Sequence, residues 1–173
     1  MKLLPGLAAF VLFVLFDLNK IRHQSRLCSL FFPLGGLLLA ASTVWCVDPH
    51  RFQWQAVTVL GLLGSAASAA ALIYTLFFAL PFHDTYTEAG QEPVVSTGVY
   101  GLCRHPGFWP FLTLYACLWL TFRGPWLLAA AVVFPLCNGF YIYIQDRWIF
   151  PRYIHGYDEY RRAVPFLIPR WKR

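Results

Sequence analysis

Charge is scarce in this chain: Asp, Glu, Lys and Arg make up 13% of 173 residues, where a soluble domain carries ~25%. Several patterns are missing as well. The five cysteines, at 28, 46, 103, 117 and 137, form no C-x-x-C and show no Cys/His spacing of a zinc site, which excludes the common structural metal folds. Most lie in apolar runs, where a buried packing role is expected. Cys103 is the exception, and Arg104 beside it does not by itself make a reactive thiolate. There is no phosphate-binding P-loop and no Ser-His-Asp set that can be placed together. The net charge of +6 is not gathered into a basic block interleaved with polar or Gly-rich sequence, so nucleic acid is not an expected partner. Neither internal repeats nor low-complexity tracts occur.

What the chain does have is apolar residues: 58% hydrophobic, with a mean hydropathy of +0.53. That composition implies an all-α integral membrane protein. Five apolar runs are expected as transmembrane helices: Leu3–Leu18, Leu27–Val47, Trp54–Phe82, His105–Phe122 and Trp126–Ile144. The first has a single Lys2 ahead of it and no small-residue cleavage site before Asp17, so it reads as an uncleaved helix, short enough that its ends must snorkel. Gly61, Gly64 and Ser65 with their alanine neighbours give the third run a small-residue surface suited to close helix packing. Arg123-Gly124-Pro125 is a tight turn that makes the last two spans an antiparallel hairpin. The segment His83–Arg104 is too long for a simple turn and is expected to form an ordered lid or strap. The whole reads as a single membrane domain, 1–173, with N-terminal helices and the start of this loop in 1–92 and a cofactor-binding core in 93–173.

Charge bias sets an orientation. With the N-terminus outside and five spans, only Lys2, Arg51 and Arg123 of the 14 Lys and Arg residues fall outside, leaving eleven inside. This positive-inside pattern places the polar loop and the tail from Gln145 to Arg173 on one cytoplasmic face. The expected localisation is a multi-pass protein of the bacterial plasma membrane.

Two cytoplasmic stretches carry chemistry. Ser96–Pro106 contains Gly98, Tyr100, Gly101, Arg104, His105 and Pro106 just ahead of the fourth span. A helix N-terminus there, with Arg104 and His105, suits an anion, and Pro106 suits the helix's first turn. A basic juxtamembrane anchor is the plainer reading. The tail interleaves Arg147, Arg152, Arg161 and Arg162 with aromatic rings and Asp146. It reads either as an interfacial segment on anionic lipid or as a cap with rings to stack a base and arginines to hold acidic groups. Asp17, within a membrane run, is either an interfacial charge or part of an acceptor channel.

The set Gly98-Val99-Tyr100, Arg104-His105-Pro106, a hairpin, then Gly156-Tyr157-Asp158-Glu159-Tyr160 and Val164-Pro165 resembles the isoprenylcysteine carboxyl methyltransferase family, itself similar to bacterial phospholipid N-methyltransferases. That family's pattern is G-x-Y-x-x-x-R-H-P-x-Y-x-G, a hairpin, an acidic pair, then F-G-x-x-Y-x-x-Y and a proline. The likeness covers Pro93–Pro169. It implies S-adenosylmethionine bound on the cytoplasmic side, with Gly98, Tyr100, Arg104, His105, Pro106, Tyr160 and Arg161 at the cofactor and a C-terminal helical tail capping the pocket. A sulfonium is drawn to aromatic faces and carboxylates. The implied activity is methyl transfer to a lipid or other lipophilic acceptor, with Asp146 or His105 orienting or deprotonating it. Membrane lipids are the other expected partners.

This chain departs from the pattern at four places. Phe108 replaces Tyr, Pro110 replaces Gly, His155 precedes Gly156 in place of Phe, and Gln145-Asp146 stands for the acidic pair. Asp146 is equally readable as a salt-bridge partner of Arg147 or Arg152. Two alternatives remain open: an NADPH-dependent reductase of the membrane sterol reductase type, which has Asn where this chain has Gly107, and a non-catalytic lipid-binding scaffold.

Overall fold

The computed structural model of the protein describes residues 1–22, 25–79 and 92–170. The first nine residues of the strap expected over His83–Arg104 therefore lie outside the described residues, as do Lys172 and Arg173. The described chain is helical: α1 (Leu4–Arg22), α2 (Phe31–Cys46), α3 (Ala56–Ile73), α4 (Phe108–Phe122), α5 (Pro125–Ile144), α6 (Phe150–Tyr153) and α7 (Tyr157–Ala163). Two two-residue strands, β1 (Glu92–Pro93) and β2 (Ile154–His155), pair in parallel and tie the loop ahead of α4 to the tail.

Four helical stretches are long and apolar enough to cross a membrane: Leu4–Arg22, Cys28–Cys46, Ala56–Phe78 and Pro125–Tyr153. Two are longer than the apolar runs suggest. α1 does not stop at Leu18 but continues through Lys20 and Arg22, both good helix formers whose charge suits a C-terminal turn. Asn19 then closes the end of α1, exchanging hydrogen bonds of 3.1 and 3.0 Å with the backbone of Ser25. At the other end of the chain, α5 runs on through a π-helical turn, Gln145–Ile149, into α6. The tail thus begins as helix, and Gln145 and Asp146 are fixed by the backbone of α5.

α4 differs in the opposite sense. It starts at Phe108 rather than His105 and has 15 residues, about 22 Å at 1.5 Å per residue, short of a ~30 Å core. Pro110, not Pro106, occupies its first turn, where a missing N–H is tolerated. Pro106 lies ahead of the helix.

The helices pack in the order α3, α4, α5, α1, α2. Lipid is as apolar as leucine, so close packing rather than transfer from water must hold such a bundle together. α1 turns Gly6, Ala9, Phe10, Phe13 and Asp17 inward, a three- and four-residue spacing that marks one face. Phe10 packs on Phe111 and Phe134, and Tyr115 stands edge-on to Phe134. The small-residue face of α3 lies against α4, as the sequence suggests. A Cβ on Gly61 would come within 2.5 Å of Thr121 Oγ1, and one on Gly64 within 2.6 Å of Cys117 Sγ.

Candidate functional site

The tail folds back over the segment ahead of α4, and backbone atoms fix it there. Arg104 N–H donates to the Pro165 carbonyl at 2.9 Å and Arg170 N–H to that of Leu102 at 3.0 Å. Trp109 Nε1 reaches the Leu167 carbonyl at 2.8 Å. Gly156, at φ 76°, makes the left-handed turn that admits α7.

Asp146 is the centre of this junction. It is 4% exposed, and a buried carboxylate must be paired. Arg104 Nη2 donates to its Oδ2 at 3.0 Å, and Arg104 Nε lies 2.7 Å from Oδ1 without aiming its N–H there. Tyr157 donates to Oδ1 at 2.6 Å, and Arg161 Nε approaches Oδ2 at 3.6 Å. The partners are thus Arg104, Tyr157 and Arg161, and not the exposed Arg147 or Arg152. Arg104 donates its remaining Nη1 hydrogens to the carbonyls of Arg161 (2.6 Å) and Val164 (2.9 Å). Its guanidinium is thereby engaged within the protein and clamps α5, α7 and the segment after it.

His105 is different. Its Nε2 is buried without a hydrogen-bond partner, 3.6 Å from Asp146 Oδ1, beyond hydrogen-bonding range. The ring stacks on Phe150 and stands edge-on to Phe166. Burial lowers the imidazole's pKa, against the pull of Asp146 and with the help of Arg104, so it is neutral at pH 7.

Arg104, His105, Phe150 and Tyr157 help wall a cavity of about 540 Å³, within the range of small-molecule sites. The end under the tail is aromatic: Tyr100, Phe150, Tyr153, Tyr157 and Tyr160 line it with Arg104, His105 and Pro106. Its other end runs among Phe10, Phe13, Phe32, Leu39, Leu72 and Phe111, from α1 to α4. The tyrosines are held by hydrogen bonds, Tyr160 to the Tyr100 carbonyl at 2.7 Å and Tyr100 to the Thr75 carbonyl at 3.0 Å. Burial pushes the Tyr100 hydroxyl up to about 12 and raises those of Tyr157 and Tyr160 further, the former also through its bond to Asp146. All three therefore remain hydrogen-bond donors. Cys103 is buried, and burial raises its thiol; it is not a thiolate at neutral pH.

Of the residues expected at the cofactor, Tyr100, Arg104, His105, Pro106 and Tyr160 line the cavity, whereas Gly98 and Arg161 do not. Gly98 instead makes a left-handed turn, φ 59°, ahead of Val99 and Tyr100. Asp146 stands behind Arg104 and Tyr157 rather than in the wall. Asn138 and Tyr141 on α5 and Gln145 at the start of the π-helical turn, which line the cavity together, are not singled out by sequence motifs. Their signal is periodic: polar residues recurring at three and four positions inside an apolar run. Among the described residues no group of His, Cys, Asp and Glu could hold a metal ion. No family model matches the chain, and no curated protein or solved structure does.

Proposed function

We propose that the chain is a membrane-embedded methyltransferase that takes its methyl group from S-adenosylmethionine and delivers it to a lipophilic acceptor. The observation that carries this reading is the single cavity with two chemically distinct ends, aromatic and tail-capped at one, apolar and helix-lined at the other. The aromatic end fits the cofactor in kind. Tyr100, Phe150, Tyr157 and Tyr160 offer π-faces to a sulfonium and an adenine, and buried His105 Nε2 is a polar atom without a partner. Arg104 supports the wall from behind its hydrogen bonds. When bound, the cofactor supplies an electrophilic methyl group. The protein's own part is alignment and exclusion of water, which the stitched tail provides. Neutral His105 can accept a proton there.

The same reading takes α4 as a fifth, short crossing, with the tail on the cytoplasmic side as the charge bias favours. It keeps the resemblance to the isoprenylcysteine carboxyl methyltransferases as support. Calorimetry of detergent-purified protein with S-adenosylmethionine and S-adenosylhomocysteine tests it. Micromolar binding that weakens in Tyr160→Phe and is lost in His105→Ala is expected. No binding by a folded, monodisperse sample overturns it, and binding of NADPH instead would favour a reductase.

A further inference from the structure

The polar stripe on α5 lies where an apolar wall would be simplest. Asn138, Tyr141 and Gln145 share one helix face, since they are three and four residues apart, and all three line the cavity. Polar side chains within a membrane helix are costly unless they serve a pathway or a ligand. Packing does not account for these. The Asn138 side chain makes no hydrogen bond among the described residues. Tyr141 and Gln145 are bound to a carboxylate from another helix: Tyr141 donates to Asp17 Oδ2 at 2.7 Å, and Gln145 Nε2 donates to the same oxygen at 2.8 Å. Gln145 Nε2 also donates to the Tyr141 oxygen at 2.8 Å. Asp17 is 3% exposed and sits behind the wall.

This arrangement fixes the Gln145 amide. Its NH2 group must face the two oxygens, so its Oε1 is turned away and accepts no hydrogen bond among the described residues. Most donors on the same cavity wall are already engaged; Arg104 Nε makes no hydrogen bond but lies 2.7 Å from Asp146 Oδ1. Tyr100, Tyr157 and Tyr160 give their O–H groups to protein oxygens, and Arg104 gives its Nη hydrogens likewise. Among the described residues the wall therefore offers the Gln145 Oε1 acceptor and the unengaged Asn138 amide, and its cation, Arg104, is neutralised by Asp146. An anionic head group finds little to neutralise it there, whereas an N–H finds Gln145 Oε1.

We infer that the Asn138–Tyr141–Gln145 face is the head-group site for the acceptor, and that it selects an amine on an apolar chain over a carboxylate. The inference rests on the methyltransferase reading and names its acceptor class. Gln145 is the specificity-determining residue. Asp17 is a positioning residue that acts through it.

The test is equilibrium binding of radiolabelled dodecylamine, dodecanol and dodecanoate to the purified full chain, counted against protein-free micelles of the same detergent. The amine is expected to bind about tenfold or more tighter than the acid, the difference one lost buried hydrogen bond can make, with the alcohol, whose O–H can also donate to Gln145 Oε1, in between. Gln145→Leu should abolish that preference, and Asn138→Leu, at the other end of the stripe, should reduce it should the first variant fail to fold. Asp17→Asn can meet Gln145 with either end of its own amide. It should narrow the amine-to-acid ratio even where overall binding persists, which a purely structural Asp17 would not do. Equal binding of the three, or tighter binding of dodecanoate, overturns the inference. S-adenosylmethionine binding is measured on the same samples: its absence would count against the methyltransferase reading alone, while its presence without an amine preference would count against the head-group site alone.

Discussion

Arg104 and Asp146, 42 residues apart in sequence, meet with Nη2 at 3.0 Å from Oδ2, each almost fully removed from solvent. The pair joins the segment ahead of α4 to the helical extension of α5. Through the Arg161 and Val164 carbonyls it also holds down the cap.

Removing one partner leaves the other buried and unneutralised. Asp146→Asn is expected to destabilise the fold by about 3–5 kcal/mol. Arg104→Met with Asp146→Leu, which removes both charges, should cost less than either single change. Thermal unfolding of the three variants in one detergent checks this.

His105 makes the protein acid-sensitive. Unfolded, a histidine titrates near ~6.5; folded, burial beside Arg104 lowers its pKa, with Asp146 opposing. Between the two values the unfolded chain binds a proton that the folded chain does not, so stability falls as pH drops below ~6.5 and is level above it on this residue's account. Unfolding midpoints from pH 8 to pH 5 should show the decline, and His105→Gln should flatten it.

Two glycines separate packing from binding. Gly61→Ala pushes a methyl towards Thr121 and the Cys117 carbonyl and should destabilise the α3–α4 contact by about 1–3 kcal/mol. Gly36 lines the cavity, and a Cβ there meets nothing within 4 Å. Gly36→Leu should therefore leave the unfolding midpoint nearly unchanged while weakening binding of dodecylamine, because it fills the apolar end of the cavity.

Arg123, at the turn between α4 and α5, adopts φ 47°. That left-handed conformation costs a side chain about 1–2 kcal/mol, partly offset by the entropy glycine loses on folding. Arg123→Gly should raise the unfolding midpoint slightly, with ligand binding unchanged.

Much of this architecture is legible in the sequence because its causes are local. Apolar runs mark the helices, and Gly61 and Gly64 announce the close approach of α4. The grouping of Arg104 and His105 with Tyr160 is foreshadowed by charge bias, which puts loop and tail on one face. Three features escape such reading. Helical backbone continues past the end of α5 as a π-helical turn, because backbone hydrogen bonding is indifferent to the change from apolar to polar side chains at Gln145. Asp146 has arginines close in sequence at 147 and 152, yet the π-helical turn aims it at Arg104, a partner set by tertiary packing. The stripe of Asn138, Tyr141 and Gln145 is thinly spread through an apolar segment, and its meaning depends on Asp17, more than a hundred residues earlier.

On the proposed function, one cavity brings a methyl donor and a membrane-borne acceptor together. The most direct measurement incubates purified protein in vesicles of total membrane lipid with S-adenosylmethionine tritiated in its methyl group, and counts label in the organic phase. Time-dependent labelling of a lipid fraction is expected, lost in His105→Ala and inhibited by S-adenosylhomocysteine. Binding of the cofactor with no label above the protein-free control, across lipid extracts that include amine-headed species, would contradict it.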